Sequence, residues 1–92
     1  MAYMLANFEV GDYDAWKQGF DEDPAGRNDS AQAHMIFRAV DNPNAVFVGV
    51  EFDSVDEARA FRQRLLDSGA MERAEKMITP PTVVEVADRA QY

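Results

Sequence analysis

The sequence predicts one α+β domain in the order βαββαβ, in which a four-stranded antiparallel sheet carries both helices on one face. Two observations lead to this prediction. Four segments alternate apolar and polar side chains with the period of a strand, and two segments between them repeat apolar residues with the period of a helix behind a capping residue. The 92 residues have the length of a single domain, which we assign to 1–92.

The first strand and the first helix follow each other directly. Residues 3–10 alternate and end at Gly11, with one wholly apolar face made of Met4, Ala6, Phe8 and Val10. Asp12 is a good N-cap because its carboxylate can accept from the free backbone N–H groups of a helix start. Behind it, one helical stripe is aromatic and consists of Tyr13, Trp16 and Phe20. Residues 21–30 form a polar loop.

A β-hairpin is predicted next, because two alternating segments flank a short turn sequence. The strands are 31–40 and 45–53, and Asp41-Asn42-Pro43-Asn44 between them is rich in turn-forming residues. The apolar face of the first strand consists of Ala33, Met35, Phe37 and Ala39. That of the second consists of Val46, Val48, Val50 and Phe52.

The second helix begins with a capping box, in which Ser54 caps the first turn and Glu57 reaches back. Its buried stripe is Val55, Ala58, Phe61, Leu65 and Leu66, and Gly69 is its expected stop. We predict a further short helix over 70–78 that Pro80-Pro81 ends. The last strand then covers 82–87, with Thr82, Val84 and Val86 on its apolar face.

We expect the four apolar faces to lie under the helices, as in a ferredoxin-like fold. The sheet face away from the helices, here called the uncovered face, would then be mixed. Its predicted members are Tyr3, Leu5, Asn7, Glu9, His34, Ile36, Arg38, Phe47, Gly49, Glu51, Val83 and Glu85. A face with this much apolar surface calls for a cover. A second copy of the same sheet is the simplest cover, so the sequence predicts a homodimer.

Charge and composition exclude several classes of partner. Nine basic against seventeen acidic residues give a net charge of −8, and the basic residues are interleaved with acids. We therefore expect no nucleic-acid partner and no membrane partner. The chain has no cysteine, which excludes disulfides, thiolate metal sites and a cysteine nucleophile. The first residues do not form a signal peptide, and we expect a cytoplasmic protein.

Three stretches together resemble small proteins of the dimeric α/β-barrel superfamily. They are the run 12–21 (DYDAWKQGFD), the run 38–44 (RAVDNPN), and Glu51-Phe52 leading into Glu57-Ala58 and Phe61. The resemblance implies a homodimer whose two sheets form a barrel, with a cavity bounded by the uncovered face and the helices. Members of that superfamily include cofactor-free monooxygenases of antibiotic biosynthesis, haem-degrading enzymes, lactone isomerases, polyketide cyclases and small-molecule sensors. It carries no catalytic residue over to this chain.

The sharpest candidate for chemistry is the pair His34 and Glu51. If 41–44 is a four-residue loop, Val40 lies opposite Ala45 and His34 lies opposite Glu51 on the uncovered face. A carboxylate that orients an imidazole makes a general base near neutral pH, so we predict these two as catalytic residues. The alternative is a structural polar pair at the dimer interface or an exposed pair, and a slip of one residue would separate the two side chains.

Other side chains predicted on the uncovered face are candidates for binding. Tyr3 and Asn7 would orient a carbonyl or hydroxyl group, Arg38 would bind a carboxylate, and Glu85 lies nearby. Phe47 would supply apolar contact and dimer contact. For all five, the alternative is a plain dimer contact or an exposed strand residue. The stripe Tyr13, Trp16 and Phe20 is either core or the wall of an aromatic-ligand cavity between helix and sheet.

The sequence offers no ligand pattern for a metal, and we expect no metal and no cofactor. A lone histidine remains compatible with axial haem ligation. Two function classes stay open. One is a small-molecule binder or a cofactor-independent enzyme of the cyclase or monooxygenase kind. The other is a non-catalytic dimeric structural or ligand-sensing module.

Overall fold

A computed structural model describes residues 1–92 and has the predicted βαββαβ order. The elements are β1 Ala2–Glu9, α1 Tyr13–Asp21, β2 Ala33–Ala39, β3 Asn42–Phe52, α2 Val55–Asp67 and β4 Lys76–Glu85. Two short 3₁₀ turns, Arg27–Asp29 and Ala70–Arg73, precede β2 and β4. The strands form one antiparallel sheet in the order β2-β3-β1-β4, so β2 and β4 are its edges.

The core lies between the sheet and the two helices. The covered face of the central strands is buried and purely apolar, as predicted: β1 supplies Ala2, Met4, Ala6 and Phe8, and β3 supplies Val46, Val48, Val50 and Phe52. Phe8 stacks on Trp16 of α1, and Phe52 stacks on Phe61 of α2. Both helices therefore pack on the same face of the sheet, which is the ferredoxin-like arrangement.

Both predicted N-cap residues cap their helices, but the Glu57 side chain does not make the predicted return bond to the Ser54 backbone N–H. The Asp12 side chain accepts from the Ala15 backbone N–H at 3.0 Å, and the Ser54 hydroxyl accepts from the Glu57 backbone N–H at 3.1 Å. Each bond satisfies a donor that the first helical turn leaves free. Gly69 takes the left-handed conformation (φ 74°) directly after α2, as expected of a helix stop. Neither helix is long and apolar enough to span a bilayer.

The predicted register of the hairpin is wrong by one residue. The loop between β2 and β3 is only Val40-Asp41, and β3 begins at Asn42, inside the predicted turn. A register shift between Arg38 and Ala39 absorbs the extra residues. Beyond it, His34 lies opposite Val50 and Ala33 opposite Glu51. A one-residue slip turns every side chain of the strand to the other face, so Ala33, Met35 and Phe37 lie on the uncovered face.

The last strand also differs from the prediction. The helical turn ends at Arg73, and β4 starts at Lys76 and runs through Pro80-Pro81. Proline is tolerated there because β4 is an edge strand and its pairing with β1 shifts register between Leu5 and Phe8. Val83 and Glu85 lie opposite Met4 and Ala2, hence on the covered side, while Thr82 and Val84 take the uncovered side.

The uncovered face can thus be described as three rows across the four strands. Ala33, Glu51, Tyr3 and Val84 form the first row, and Met35, Gly49, Leu5 and Thr82 the second. Phe37, Phe47, Asn7 and Thr79 form the third. The face exposes 42% of Leu5, 58% of Met35, 56% of Phe37 and 43% of Phe47. It is more apolar than the sequence predicted, because β2 turns Met35 and Phe37 outward.

Candidate functional site

The structure does not bring His34 and Glu51 together. His34 shares the covered side with Val50, whereas Glu51 points to the uncovered face, since neighbouring strand residues alternate between faces. The predicted pairing of an imidazole with this carboxylate is therefore wrong. The cause is the two-residue loop Val40-Asp41, which shifts β2 by one position against β3.

His34 instead stands at the sheet edge against α1. Its ring meets the Phe20 ring edge-on, with centroids 5.1 Å apart. Partial burial lowers the pKa of His34 below its usual value, and the positive charges of Arg27 and Lys17 lower it further, while Asp21 opposes them. Partial burial and the two positive charges together favour the neutral imidazole. No carboxylate orients the ring as the predicted general base would require.

Glu51 has a different partner on the uncovered face. It lies directly opposite Tyr3, whose hydroxyl donates to Glu51 Oε1 at 2.8 Å. This hydrogen bond is the largest cause of a raised Tyr3 pKa, followed by desolvation and the negative charge of Glu51. Asn7 lies opposite Phe47 on the same face, and its Nδ2 donates to the Val46 carbonyl oxygen at 3.1 Å. Tyr3, Asn7 and Phe47 thus lie on the predicted face.

Arg38 and Glu85 are the other two predicted residues whose placement is wrong. Arg38 lies opposite Val46 on the covered side, where its guanidinium stacks over the Tyr13 ring at 4.0 Å and Nε donates to the Pro43 carbonyl oxygen. Glu85 lies opposite Ala2 on that side as well. Both errors follow from the faces of the edge strands, so neither residue joins Tyr3 and Asn7.

An apolar concave site lies on the covered side instead, between the helices and the sheet. A wider and mostly polar depression lies between α2 and β4. The apolar site is a cavity of about 60 Å³ with mostly hydrophobic walls. Trp16 and Phe20 of α1 line it, as one of the two sequence interpretations of the aromatic stripe expected, and Tyr13 does not. The sheet contributes Met4, Ala6, Phe8, Val48 and Val50, and α2 contributes Phe61 and Leu65.

The charged residues on the cavity wall are Asp23, Arg27 and Arg73. Asp23 adopts φ 57° and uses its carboxylate as a cap: Oδ1 accepts from the Arg27 backbone N–H at 2.6 Å, and Oδ2 from that of Asn28 at 3.0 Å. Asparagine and aspartate tolerate this left-handed conformation better than most residues. Asp23 therefore shapes the loop that holds Arg27 against the cavity.

Arg27 is the most deeply buried charged residue, with 7% of its surface exposed. Its guanidinium carbon lies 3.8 Å from the centre of the Phe20 ring, and Nη1 lies 3.4 Å from the Phe20 carbonyl oxygen. The ion pair with Asp23 measures 3.7 Å. A cation held over an aromatic face in this way gains about 1–2 kcal/mol when it is partly desolvated.

Arg73 approaches the cavity from the 3₁₀ turn that follows α2. Its guanidinium occupies the space where residue 19 would carry a side chain, and a Cβ on Gly19 would overlap Nη1. Its ionic partner is Glu22, at 4.0 Å, and both side chains are substantially exposed. Arg73 is thus a partly exposed cation at the cavity rim, whereas Arg27 is buried in the wall.

Sequence reasoning missed Arg27, Asp23 and Arg73. Arg27 did carry a signal, because it is the only arginine or lysine between Lys17 and Arg38 and it follows an acidic run. Gly19 carried another, since glycine inside a helix costs stability unless something needs the space. The chain brings no group of three or more histidine, aspartate or glutamate side chains together that could hold a metal ion.

The chain matches solved structures over nearly its whole length. It is 18% identical to a protein of Bordetella bronchiseptica proposed to be an antibiotic biosynthesis monooxygenase, with a TM-score of 0.67 and 97% of each chain covered. A protein of Deinococcus radiodurans with the same proposed assignment is 9% identical, with a TM-score of 0.66 over 100% of this chain and 98% of that one. A third, from Chloroflexus aurantiacus, is 15% identical, with a TM-score of 0.63 over 99% and 95%.

These likenesses confirm the ferredoxin-like fold and, at the level of fold, the resemblance that the sequence indicated. No protein-family model and no curated protein matches the chain.

Proposed function

We propose that this protein is a homodimer that binds a small organic molecule in the cavity between α1, α2 and the sheet. The observation that carries the proposal is the cavity itself, an apolar space lined by Trp16 and Phe20, with Arg27 against the Phe20 ring. Binding sites for small molecules are typically apolar hollows with a few placed polar groups. The fold shared with proteins proposed to be monooxygenases supports the same class of function.

The size of the cavity limits what enters without movement. About 60 Å³ is less than half of the roughly 150 Å³ that accommodates benzene in an engineered protein cavity. A ligand of six or more heavy atoms therefore has to displace side chains at the rim. Met71 and Arg73 are the candidates, because they belong to a short 3₁₀ turn rather than to the sheet or a long helix.

If the protein is an enzyme, cofactor-independent oxidation by O2 is the chemistry we assign to it. In such a reaction a CH2 group that a conjugated carbonyl makes acidic becomes a second carbonyl. One oxygen atom of O2 enters the substrate, the other leaves as water, and the substrate supplies all four electrons. The apolar walls would hold the ring system, and Arg27 would stabilise negative charge on the oxygen of the deprotonated substrate.

One observation supports the non-catalytic alternative, a ligand-sensing module, as a second candidate function. The only carboxylate on the cavity wall is Asp23, and both of its oxygens already accept backbone N–H groups. No histidine lines the cavity. A general base must lie within hydrogen-bond reach of the proton that it removes, so a binder without catalysis fits this wall equally well.

The homodimer is proposed because of the uncovered face. Leu5, Met35, Phe37 and Phe47 lie in neighbouring rows of that face and expose about half of their surfaces. A second copy that covers this face would remove the patch from water, at about 25 cal/mol for each Å² of apolar surface. The absence of cysteine is compatible with a cytoplasmic setting, which we propose with it.

Titration with toluene, a neutral apolar probe, tests binding in the cavity. Trp16 is the only tryptophan, so its indole N–H gives a single signal in a ¹H–¹⁵N NMR spectrum. We expect toluene to shift this signal in the native protein. Ala70→Phe, which fills the rim, should abolish the shift, and Ala60→Phe on the exposed side of α2 should not. Absence of any shift in the native protein would refute the proposal.

Oxygen uptake separates the two functional branches. Anthrone has a CH2 group activated by a carbonyl, and its oxidation to the quinone consumes one O2. Uptake that the protein accelerates, without added flavin or metal, and that Ala70→Phe removes would establish the enzyme. Binding of toluene without accelerated uptake of O2 would favour the sensing module.

A further inference from the structure

Two arginines flank the cavity from different elements. Arg27 follows α1 and the acidic loop, and Arg73 follows α2. Against them the wall offers only Asp23 as a negative charge. Arg27 exposes 7% of its surface, and its one ion pair, with Asp23, is long at 3.7 Å. The wall therefore has an excess of one positive charge, whereas the whole chain carries a net charge of −8.

The donors of Arg27 are poorly used within the chain. A guanidinium has five N–H donors in one plane. Nη1 makes one long hydrogen bond, 3.4 Å, to the Phe20 carbonyl oxygen. Asp23 stays at 3.7 Å because its oxygens are engaged with backbone N–H groups. The Phe20 ring covers a face of the guanidinium. Nε and Nη2 have no hydrogen-bond partner within the chain and reach solvent, since no buried side-chain nitrogen is left without a partner, so they can donate to another acceptor.

Arg73 is free to join the same acceptor. Its Nη2 is 4.0 Å from Glu22, beyond hydrogen-bond distance, and 45% of its side chain is exposed. It reaches the cavity because Gly19 has no side chain on that side of α1. Rotation of its long side chain would bring a second guanidinium toward the space that Arg27 faces.

We propose that the cavity takes a small apolar molecule bearing an ionised carboxylate, which Arg27 binds and Arg73 encloses from the rim. This inference rests on the proposed binding function and adds the chemical class of the ligand. A planar guanidinium and a carboxylate fit as two parallel hydrogen bonds, and such charge-assisted bonds are stronger than neutral ones. Trp16 and Phe20 would contact the apolar body of the ligand.

A purely structural role of Arg27 predicts a different behaviour. If the side chain serves only to hold the loop through Phe20 and Asp23, its replacement changes stability but gives no preference for charged ligands. The charge preference of the cavity is therefore the quantity to measure, because it does not depend on how stable each variant is.

Benzoate and benzamide are matched probes, since they differ in charge and hardly in shape. Their dissociation constants are measured at pH 7 from the Trp16 indole N–H signal, for the native protein and for Arg27→Lys, Arg27→Met and Arg73→Met. The exposed Arg59→Met, on the outer part of α2, is the control for net charge. Arg73→Met keeps the test valid if Arg27→Met does not fold, because Arg73 is partly exposed.

We expect benzoate to bind at least about tenfold more tightly than benzamide, the ratio that one charged hydrogen bond supplies. Arg27→Met should remove the preference, Arg27→Lys and Arg73→Met should reduce it, and Arg59→Met should leave it unchanged. Equal affinities of the native protein for benzoate and benzamide would overturn this inference. If toluene binds in its own titration, the proposed binding function still stands in that case. If benzoate, benzamide and toluene all fail to bind, the carboxylate inference and the proposed binding function are both refuted.

Discussion

The guanidinium of Arg73 lies on α1 at the position where Gly19 has no side chain, and a Cβ there would overlap Nη1. Glycine inside a helix is less favourable than alanine by about 1 kcal/mol. Gly19 therefore lowers the intrinsic stability of α1, and its missing side chain leaves room for the Arg73 guanidinium at the cavity rim. The relationship couples two elements that are distant in sequence, and a double-mutant cycle measures that coupling.

Gly19→Ala should change the stability of the native protein by less than about 0.5 kcal/mol, because the gain in helix propensity is offset when Arg73 is displaced. In an Arg73→Ala background the same change should stabilise by roughly 0.5–1 kcal/mol, since no guanidinium has to move. Urea unfolding of the four proteins gives both values. Equal effects of Gly19→Ala in both backgrounds would show that the two residues do not meet.

Phe47→Asp should weaken the proposed homodimer. Phe47 lies between Phe37 and Asn7 in the third row of the uncovered face and exposes 43% of its surface, so a carboxylate there would be buried without a partner in the interface. Val40→Asp is the matched control, because Val40 is 99% exposed in the β2–β3 turn. Light scattering coupled to size exclusion reports the mass, and an unchanged dimer in Phe47→Asp would mean that the interface lies elsewhere.

The central and the edge strands show how far the sequence determines this sheet. In β1 and β3 one alternating set is wholly apolar and the other contains Asn7, Glu9 or Glu51, so the covered face follows from composition. In β2 both sets contain large apolar side chains, and the covered set also contains His34 and Arg38. Alternation gives such a strand two faces, but only the register with β3 decides which one the helices cover.

Tertiary contacts decide the register where local signals are ambiguous. The run Asp41-Asn42-Pro43-Asn44 predicts a turn, yet β3 extends through Pro43, and Arg38 Nε binds the Pro43 carbonyl oxygen at 2.8 Å. Arg38 also stacks on Tyr13 of α1 at 4.0 Å. These contacts hold Arg38 on the covered side, and no pattern within 31–44 encodes them. The predicted catalytic pair His34–Glu51 depended on this register, so it is wrong because the register is wrong.

The cavity was only partly predictable for a similar reason. Trp16 and Phe20 follow from helical periodicity, whereas the cation beside them comes from the loop 21–30, which periodicity does not describe. Asp23 places Arg27 through backbone geometry, with φ 57° and two hydrogen bonds to N–H groups. Asp23→Ala should therefore destabilise the domain by about 1–2 kcal/mol, comparable to loss of a helix cap.

Urea unfolding of Asp23→Ala is compared with that of Asp29→Ala, in the same loop. The Asp29 side chain makes no hydrogen bond and no ion pair, so its removal should cost less than about 0.5 kcal/mol. Equal losses in the two variants would mean that the carboxylate of Asp23 does not organise the loop.

Glu51→Gln should lower the pKa of Tyr3 toward its usual value of 10. The hydrogen bond to Glu51 and the negative charge of that carboxylate both raise the pKa of Tyr3, and an amide keeps a hydrogen bond but carries no charge. Absorbance at 295 nm over the alkaline range follows ionisation of the three tyrosines, and Tyr3→Phe identifies the component of Tyr3. A Tyr3 pKa that is unchanged in Glu51→Gln would mean that the charge of the Glu51 carboxylate does not contribute to the shift.

The pKa of His34 should lie below the usual 6.5, because partial burial and the charges of Arg27 and Lys17 disfavour the imidazolium. His34 is the only histidine, so its ring C–H signals report the pKa directly by NMR. Lys17→Met should raise this pKa, since it removes a positive charge and frees Asp21 from its ion pair. Lys76→Met, on the opposite edge strand, should leave it unchanged.

The direction of this shift fixes how His34 affects stability. A lowered pKa in the folded state means that the unfolded chain binds more protons between the two pKa values, so stability increases with pH there. The contribution of His34 is fully present above about pH 6.5 and is lost as the pH falls through the folded pKa. His34→Gln should therefore show a weaker decline in its free energy of unfolding from pH 7 to pH 5 than the native protein. An identical decline would mean that the imidazole has the same pKa in both states.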